Sequence, residues 1–144
     1  MPSEVSSSNG GASSQPTLTE SVVQAAATTR TNTSYGDAGP TVSITTTVPN
    51  TLIEVSWMGV FDTVSTGGFG WIGVNIDGTD YDCQLCLTSG AAASINHPVS
   101  INFKTIIPTP KELDVKLRYK SDSGVGVRIY EPGGAPTFQV VQYA

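Results

Sequence analysis

Leu113-Asp114-Val115-Lys116-Leu117-Arg118-Tyr119-Lys120 alternates apolar and charged side chains without a break. Successive side chains of an extended chain point to opposite faces. The stretch therefore reads as a strand with one face on a core and the other in water. Its neighbours repeat the pattern. Ser121-Asp122-Ser123-Gly124 turns the chain, and Val125, Val127 and Ile129 return. Glu131-Pro132-Gly133-Gly134 turns it again before a closing strand over residues 137–143. Upstream, Val99 to Phe103 alternates, and Pro108 and Pro110 separate it from residue 113.

The rest of the chain from Tyr35 onward reads the same way. Thr41 to Thr45 is a short strand, and Pro49-Asn50 is a turn. Leu52 to Phe61 is the longest strand candidate and the expected centre of a sheet. Trp71 to Ile76, the Asp77-Gly78 hairpin signal and Tyr81 to Leu87 form the next pair. About eight antiparallel strands spaced by turns predict an all-β domain, a β-sandwich of jelly-roll type. The expected core is Val42, Ile44, Ile53, Val55, Trp57, Phe61, Trp71, Val74, Ile76, Leu85, Ile101, Phe103, Leu113, Val115, Leu117, Val127, Ile129, Phe138 and Val140.

Residues 1–34 differ. They are rich in Ser, Thr, Gly, Ala and Gln, with Glu4, Glu20 and Arg30 as the charged side chains. Such a composition buries too little apolar surface to offset ordering entropy. The expected organisation is an extended N-terminal arm over 1–34, ordered on a neighbouring subunit, and a β-domain over 35–144. Thr19 to Ala27 is expected to make a helical turn or an added strand. Its Val22, Val23, Ala25, Ala26 and Ala27 are the candidate arm contacts. Loop contacts are expected at Phe69 and His97, within variable connections over 62–70, 88–98 and 131–136.

The 144 residues carry 7 basic and 12 acidic side chains, a net charge of −5. No basic face for a phosphate backbone is expected, so direct nucleic-acid binding is not. No apolar run approaches a membrane span, and no membrane partner is expected. Residues 1–10 lack the basic start and apolar stretch of a secretory signal, and Pro2 follows Met1 where a myristoylation site needs Gly.

Catalytic patterns are missing in turn. His97 is the single histidine and precedes Pro98, and there is no G-x-S-x-G elbow or phosphate-binding loop. Asp77, Asp80 and Asp82 cluster at the hairpin without the closing Glu of a calcium loop. Cys83 and Cys86 read C-x-x-C, yet they fall on a strand, where residues three apart face opposite ways. They are expected to be buried small hydrophobes and not a redox or zinc pair. The reading is a non-enzyme with no metal and no cofactor.

Three segments carry a family likeness. Thr28-Thr29-Arg30-Thr31-Asn32-Thr33-Ser34-Tyr35-Gly36-Asp37-Ala38-Gly39-Pro40-Thr41-Val42-Ser43-Ile44 resembles the opening of small β-domains on tailed-phage virions. Leu52 to Phe61 with Trp71-Ile72-Gly73-Val74-Asn75-Ile76-Asp77-Gly78 resembles their next strands. Phe138-Gln139-Val140-Val141-Gln142-Tyr143-Ala144 looks like their closing strand. The resemblance covers residues 28–144 by pattern, without a signature motif, and no functional residue is carried over from it. It implies a virion surface protein, often a homotrimer, assembled in the host cytoplasm. The first expectation is a capsid decoration protein on the outer capsid, partnered by the major capsid protein and its own copies. The second is a tail-fibre or receptor-binding tip that recognises a host glycan. The third is a cellular carbohydrate-binding or adhesion module.

Overall fold

The computed structural model describes residues 15–21, 29–39, 41–63, 68–87, 97–122, 124–130 and 138–144. These hold ten strands: β1 (Thr17–Ser21), β2 (Gly36–Asp37), β3 (Val42–Thr45), β4 (Thr51–Thr63), β5 (Phe69–Ile76), β6 (Thr79–Leu87), β7 (His97–Ile107), β8 (Glu112–Ser121), β9 (Val127–Tyr130) and β10 (Phe138–Tyr143). They form two antiparallel sheets packed as a β-sandwich. Sheet I runs β1-β10-β4-β7, with β9 also on β4. Sheet II runs β8-β5-β6, with β2 and β3 both paired to β8.

Alternation places each strand's apolar row between the sheets. In β8, Leu113, Val115, Leu117 and Tyr119 are buried while Glu112 and Asp114 are exposed and Lys116, Arg118 and Lys120 are half-exposed. In β4, Ile53, Val55, Trp57 and Phe61 are fully buried. They join Val74, Val115, Leu117, Ile129, Phe138 and Val140 in one cluster. Burying each such side chain is worth about 2 kcal/mol. Asp77 (φ 52°) and Gly78 (φ 91°) turn β5 into β6. Positive φ at both central residues matches the strands' twist.

Two expected core residues lie elsewhere. Trp71 and Leu85 pair with each other on the outer face of sheet II. Trp71 pairs on its other side with Lys120, which fixes that orientation. Ile72, opposite buried Tyr119, and Cys86 fill the inner positions instead. Phe103 faces inward at the sandwich margin and is half-buried. Its ring lies 4.9 Å from that of Tyr81, joining β7 to β6 across the sheets.

The cysteines depart from simple alternation. The β5–β6 register shifts between Ile72 and Gly73, which face Gln84 and Asp82, so Cys83 is the extra residue of a bulge. The bulge resets the side-chain phase. Both cysteines then pack against the core, Cys86 buried and Cys83 partly so. The expectation of opposite faces is thereby corrected.

Parts of the 1–34 segment are built into their own chain's sandwich. Thr17 to Ser21 pairs with β10 from Gln142 to Phe138. Arg30 exchanges two 2.9 Å backbone hydrogen bonds with Val127, and Asn32 accepts one from Ser121. Val22, Val23, Ala25, Ala26 and Ala27 lie outside the described residues.

Asp62 is an outward residue of β4, yet only 2% exposed. Arg128 on β9 clamps it through two bonds, Nε to Oδ1 at 2.8 Å and Nη2 to Oδ2 at 2.6 Å. Asp62→Ala removes both of these bonds from a half-buried guanidinium. We expect a loss of about 2–3 kcal/mol, read from the urea midpoint. A shift within the roughly 0.5 kcal/mol of ordinary surface changes would contradict the clamp.

Candidate functional site

The outer faces of the two sheets differ in chemistry. On sheet II, Arg118 of β8 reaches Asp37 of β2 at 2.6 Å and stands 3.3 Å from Asp80 of β6. The Asp80 contact is an ion pair and not a hydrogen bond. Lys116 also faces Asp37, and Lys120 faces Asp82 at 3.7 Å. Asn75 donates to Asp80 at 2.7 Å. Lys111 pairs with Asp77. Each carboxylate of the hairpin thus has a cation or amide partner within the chain. Among the described residues no group of three or more His, Cys, Asp and Glu side chains is placed to hold a metal ion.

Tyr35 straps this face. Its hydroxyl donates to Asp82 at 2.5 Å, and Lys120 Nζ lies 4.6 Å from its ring centre. Gly73 makes room for it: a Cβ there would come within 2.7 Å of the Tyr35 hydroxyl and 2.4 Å of the Tyr81 carbonyl. Burial and the Asp82 bond push the Tyr35 phenol far above its ordinary range. Sheet II is in this way tied across its strands by its own side chains.

Sheet I presents the opposite case. Its strand register sets Tyr143, Leu52 and Ile106 in one row and Leu18, Val141, Glu54 and Lys104 in the next. Glu20, Gln139, Ser56 and Asn102 follow, then Met58 with Ser100. Met58 is 66% exposed, Leu18 52%, Ile106 50% and Tyr143 40%. Four large apolar side chains on one face are a candidate contact surface.

A polar cluster stands among them. Glu54 accepts from Asn102 Nδ2 at 2.9 Å and from the Tyr143 hydroxyl at 3.1 Å, with Lys104 3.6 Å away. These partners come from β7 and β10 on either side of β4, so the carboxylate is held across three strands. The Asn102 and Tyr143 bonds lower its pKa below 4.5. Beside it lies an open hollow of about 440 Å³ lined by Ser56, Met58, Ser100, Asn102 and Gln139. Short serines on adjacent strands leave the space, and Met58 forms one wall.

Phe69 and His97, expected in loops, are the first residues of β5 and β7. Phe69 is half-buried and its carbonyl accepts from Asp122 at 3.0 Å. The five arm contacts are outside the described residues. The sheet I face was not among the expected sites, although Leu52, Val141 and Tyr143 each occupy a strand side opposite predicted core residues.

No family model matches the sequence, and no characterised protein matches it. Solved structures do resemble the fold. Dimeric latent PorU from Porphyromonas gingivalis aligns at TM-score 0.56 and 14% identity, over 93% of this chain and 14% of that one. The structure of infectious bursal disease virus, Gt strain, aligns at TM-score 0.53 and 12% identity, over 91% of this chain and 38% of that one. This chain spans well under half the length of either. At such identity the likeness is one of fold: a β-sandwich that recurs in chains of different character.

Two measurements follow. A native carboxylate with a lowered pKa adds stability above its unfolded value and loses it as pH falls through the native one. Glu54 is therefore expected to titrate below 4.5 by carbon NMR, and Asn102→Ala should return it toward that value. An unchanged titration in the variant would discount the cluster. The cysteines behave in the opposite sense. Burial raises Cys83 to about 11 and Cys86 to about 12, against an ordinary 9.0. The unfolded chain ionises first, so stability falls as pH climbs from 9 towards 12. The melting temperature should drop over that range, and drop less in a Cys83→Ala/Cys86→Ala variant; an equal drop would contradict thiol linkage.

Proposed function

We propose that the chain is a virion structural protein, a capsid decoration protein that binds the outer surface of a capsid as a homotrimer and stabilises the shell. The observation that carries this reading is the contrast between the two faces. Sheet II spends its charges on itself, while sheet I exposes Met58, Ile106, Leu18 and Tyr143 around a carboxylate held in place by three strands. A rigid, mixed apolar and polar face suits docking on a large, repetitive protein surface. Three copies in one assembly multiply weak contacts into firm attachment. The fold likeness to a virus structure, and the resemblance of residues 28–144 to phage surface domains, support the same direction.

The N-terminal segment serves as the second attachment. In this reading residues before β1 reach the major capsid protein, and sheet I seats the domain. The activity in this reading is binding: Asp37, Asp77, Asp80 and Asp82 of sheet II are engaged in ion pairs with Lys or Arg side chains. Assembly takes place in the host cytoplasm, and the mature location is the outer capsid surface.

A second reading rests on the hollow beside Glu54. Ser56, Ser100, Asn102 and Gln139 line it with hydroxyls and amides, groups that could meet sugar hydroxyls. A receptor-binding tip would use it on a host glycan.

Co-sedimentation with mature capsids separates these. The full chain is expected to saturate capsids at many copies. Met58→Asp/Ile106→Asp should cut affinity at least tenfold with an unchanged circular dichroism spectrum. Removal of residues 1–14, which takes away none of the described strands, should weaken binding as well. Full affinity in both variants would sink the decoration reading. Binding to host cells that free sugar competes away, without capsid binding, would put the glycan reading in its place.

A further inference from the structure

Strand β1 is joined to the sandwich through very little. Thr17, Leu18 and Glu20 are exposed, and Leu18 leaves 52% of its surface in solvent. What hydrogen-bonds the strand is its five-residue register with β10 and the 3.0 Å bond from Gln139 to Glu20, while a smaller contact runs to β3 of the other sheet. Every one of those hydrogen-bond partners belongs to β10. An identical β10 on another copy offers the same hydrogen bonds in the same register.

The chain that follows is fixed separately. Arg30 is tied by both backbone bonds to Val127, and its guanidinium donates to the Ser34 carbonyl at 2.8 and 2.6 Å. Gly36 sits beneath that guanidinium, where a Cβ would come within 2.1 Å of it. Residue 30 thus stays with its own domain whichever β10 receives residues 17–21.

Geometry allows either choice. β10 and β9 lie end to end on one side of β4, because β7 occupies the other. Ser21 opposes Phe138, level with Trp57 of β4, and Arg30 opposes Val127, level with Thr63. Six residues of strand separate those levels, about 20 Å. Nine peptide steps from residue 21 to residue 30 can reach roughly 30 Å. The connection is longer than the path within one domain demands, and it reaches a neighbour's Phe138 at up to that distance.

We propose that β1 is exchanged between copies: each chain lays residues 17–21 on the β10 of the next, closing a ring of identical heterologous contacts. The hydrogen bonds that β1 gives up in its own domain form again in the neighbour, so exchange costs little and adds the interface between domains. A ring in which each copy gives one strand and receives one leaves none unsatisfied. The proposal rests on the oligomeric part of the decoration reading and supplies its mechanism, and it stands independently of what the oligomer binds.

The test uses the directly opposed outward pair Leu18 and Val141. Opposed strand residues lie within the Cα separation that a disulfide spans. The full-length Leu18→Cys/Val141→Cys chain is oxidised with excess oxidised glutathione, which takes up the two electrons and two protons of each thiol pair. Exchange predicts covalent multimers up to the ring size on a non-reducing gel. A second arm mixes chains carrying only Leu18→Cys with chains carrying only Val141→Cys during refolding, and exchange predicts a bridged pair of one of each. The unaltered chain, and a Cys83→Ala/Cys86→Ala chain beside it, should stay single. Light scattering of a chain lacking residues 1–21 gives an independent readout, and exchange predicts a fall to the monomer mass. A double variant that closes only within single chains overturns the proposal, as does a truncated chain that keeps its oligomeric mass. Covalent rings that fail to bind capsids would leave exchange standing and remove the decoration reading instead.

Discussion

Both edges of β4 must be hydrogen-bonded, and most of the architecture follows from that need. A strand of thirteen residues in the middle of a sandwich presents backbone donors and acceptors that water cannot reach. β7 covers one side from Thr51 to Phe61. The other side is shared, by β10 along Leu52 to Ser56 and by β9 along Val60 to Thr63. The core is threaded on this strand: Ile53, Val55, Trp57 and Phe61 are all fully buried. Where β9 takes over from β10, the buried Asp62 clamp fastens the junction.

The two faces divide the labour of the molecule. Sheet II is locked by side chains that bond across its strands, with Arg118 linking β2, β8 and β6 and Tyr35 laid over Gly73. That face gains rigidity and has little left to offer a partner. Sheet I is also bonded across its strands, at Glu54 and at Asp62, yet it leaves Met58, Ile106 and Leu18 exposed around those bonds. The Glu54 cluster orders the middle of that face without covering the apolar residues around it.

Much of the fold was legible because alternation is a local signal. The period of two in residues 113–120 and 52–57 specifies strand and buried face together. The signal fails where two neighbours are both apolar. Trp71 and Ile72 are equal candidates in sequence, and only the register against Lys120 and Tyr119 decides between them. A bulge defeats it too, since the extra residue at Cys83 reverses the phase within β6. β1 was legible only in part: Thr19 to Ala27 offered a helical turn or an added strand, but Thr17 to Ser21 is polar, and its partner strand lies more than a hundred residues away. The sheet I face was illegible for a related reason. Glu54 meets Asn102 and Tyr143 across separations of 48 and 89 residues, and no local pattern announces such a meeting.

The place of β10 sets an order on how the molecule can be made. This strand is near the C-terminal end, yet it lies inside sheet I between β1 and β4. A ribosome delivers residues 17–21 and 51–63 long before residues 138–143 emerge. Until then that side of β4 is open along Leu52 to Ser56, and β1 has no strand to join. Sheet II can assemble once residue 121 has emerged, whereas sheet I closes only after residues 138–143 have emerged. The nascent chain therefore passes through a stage with an uncapped hydrophobic edge, the form most exposed to mispairing with other chains. Slow, long-range closure of this kind makes chaperone protection most useful in the interval before β10 emerges.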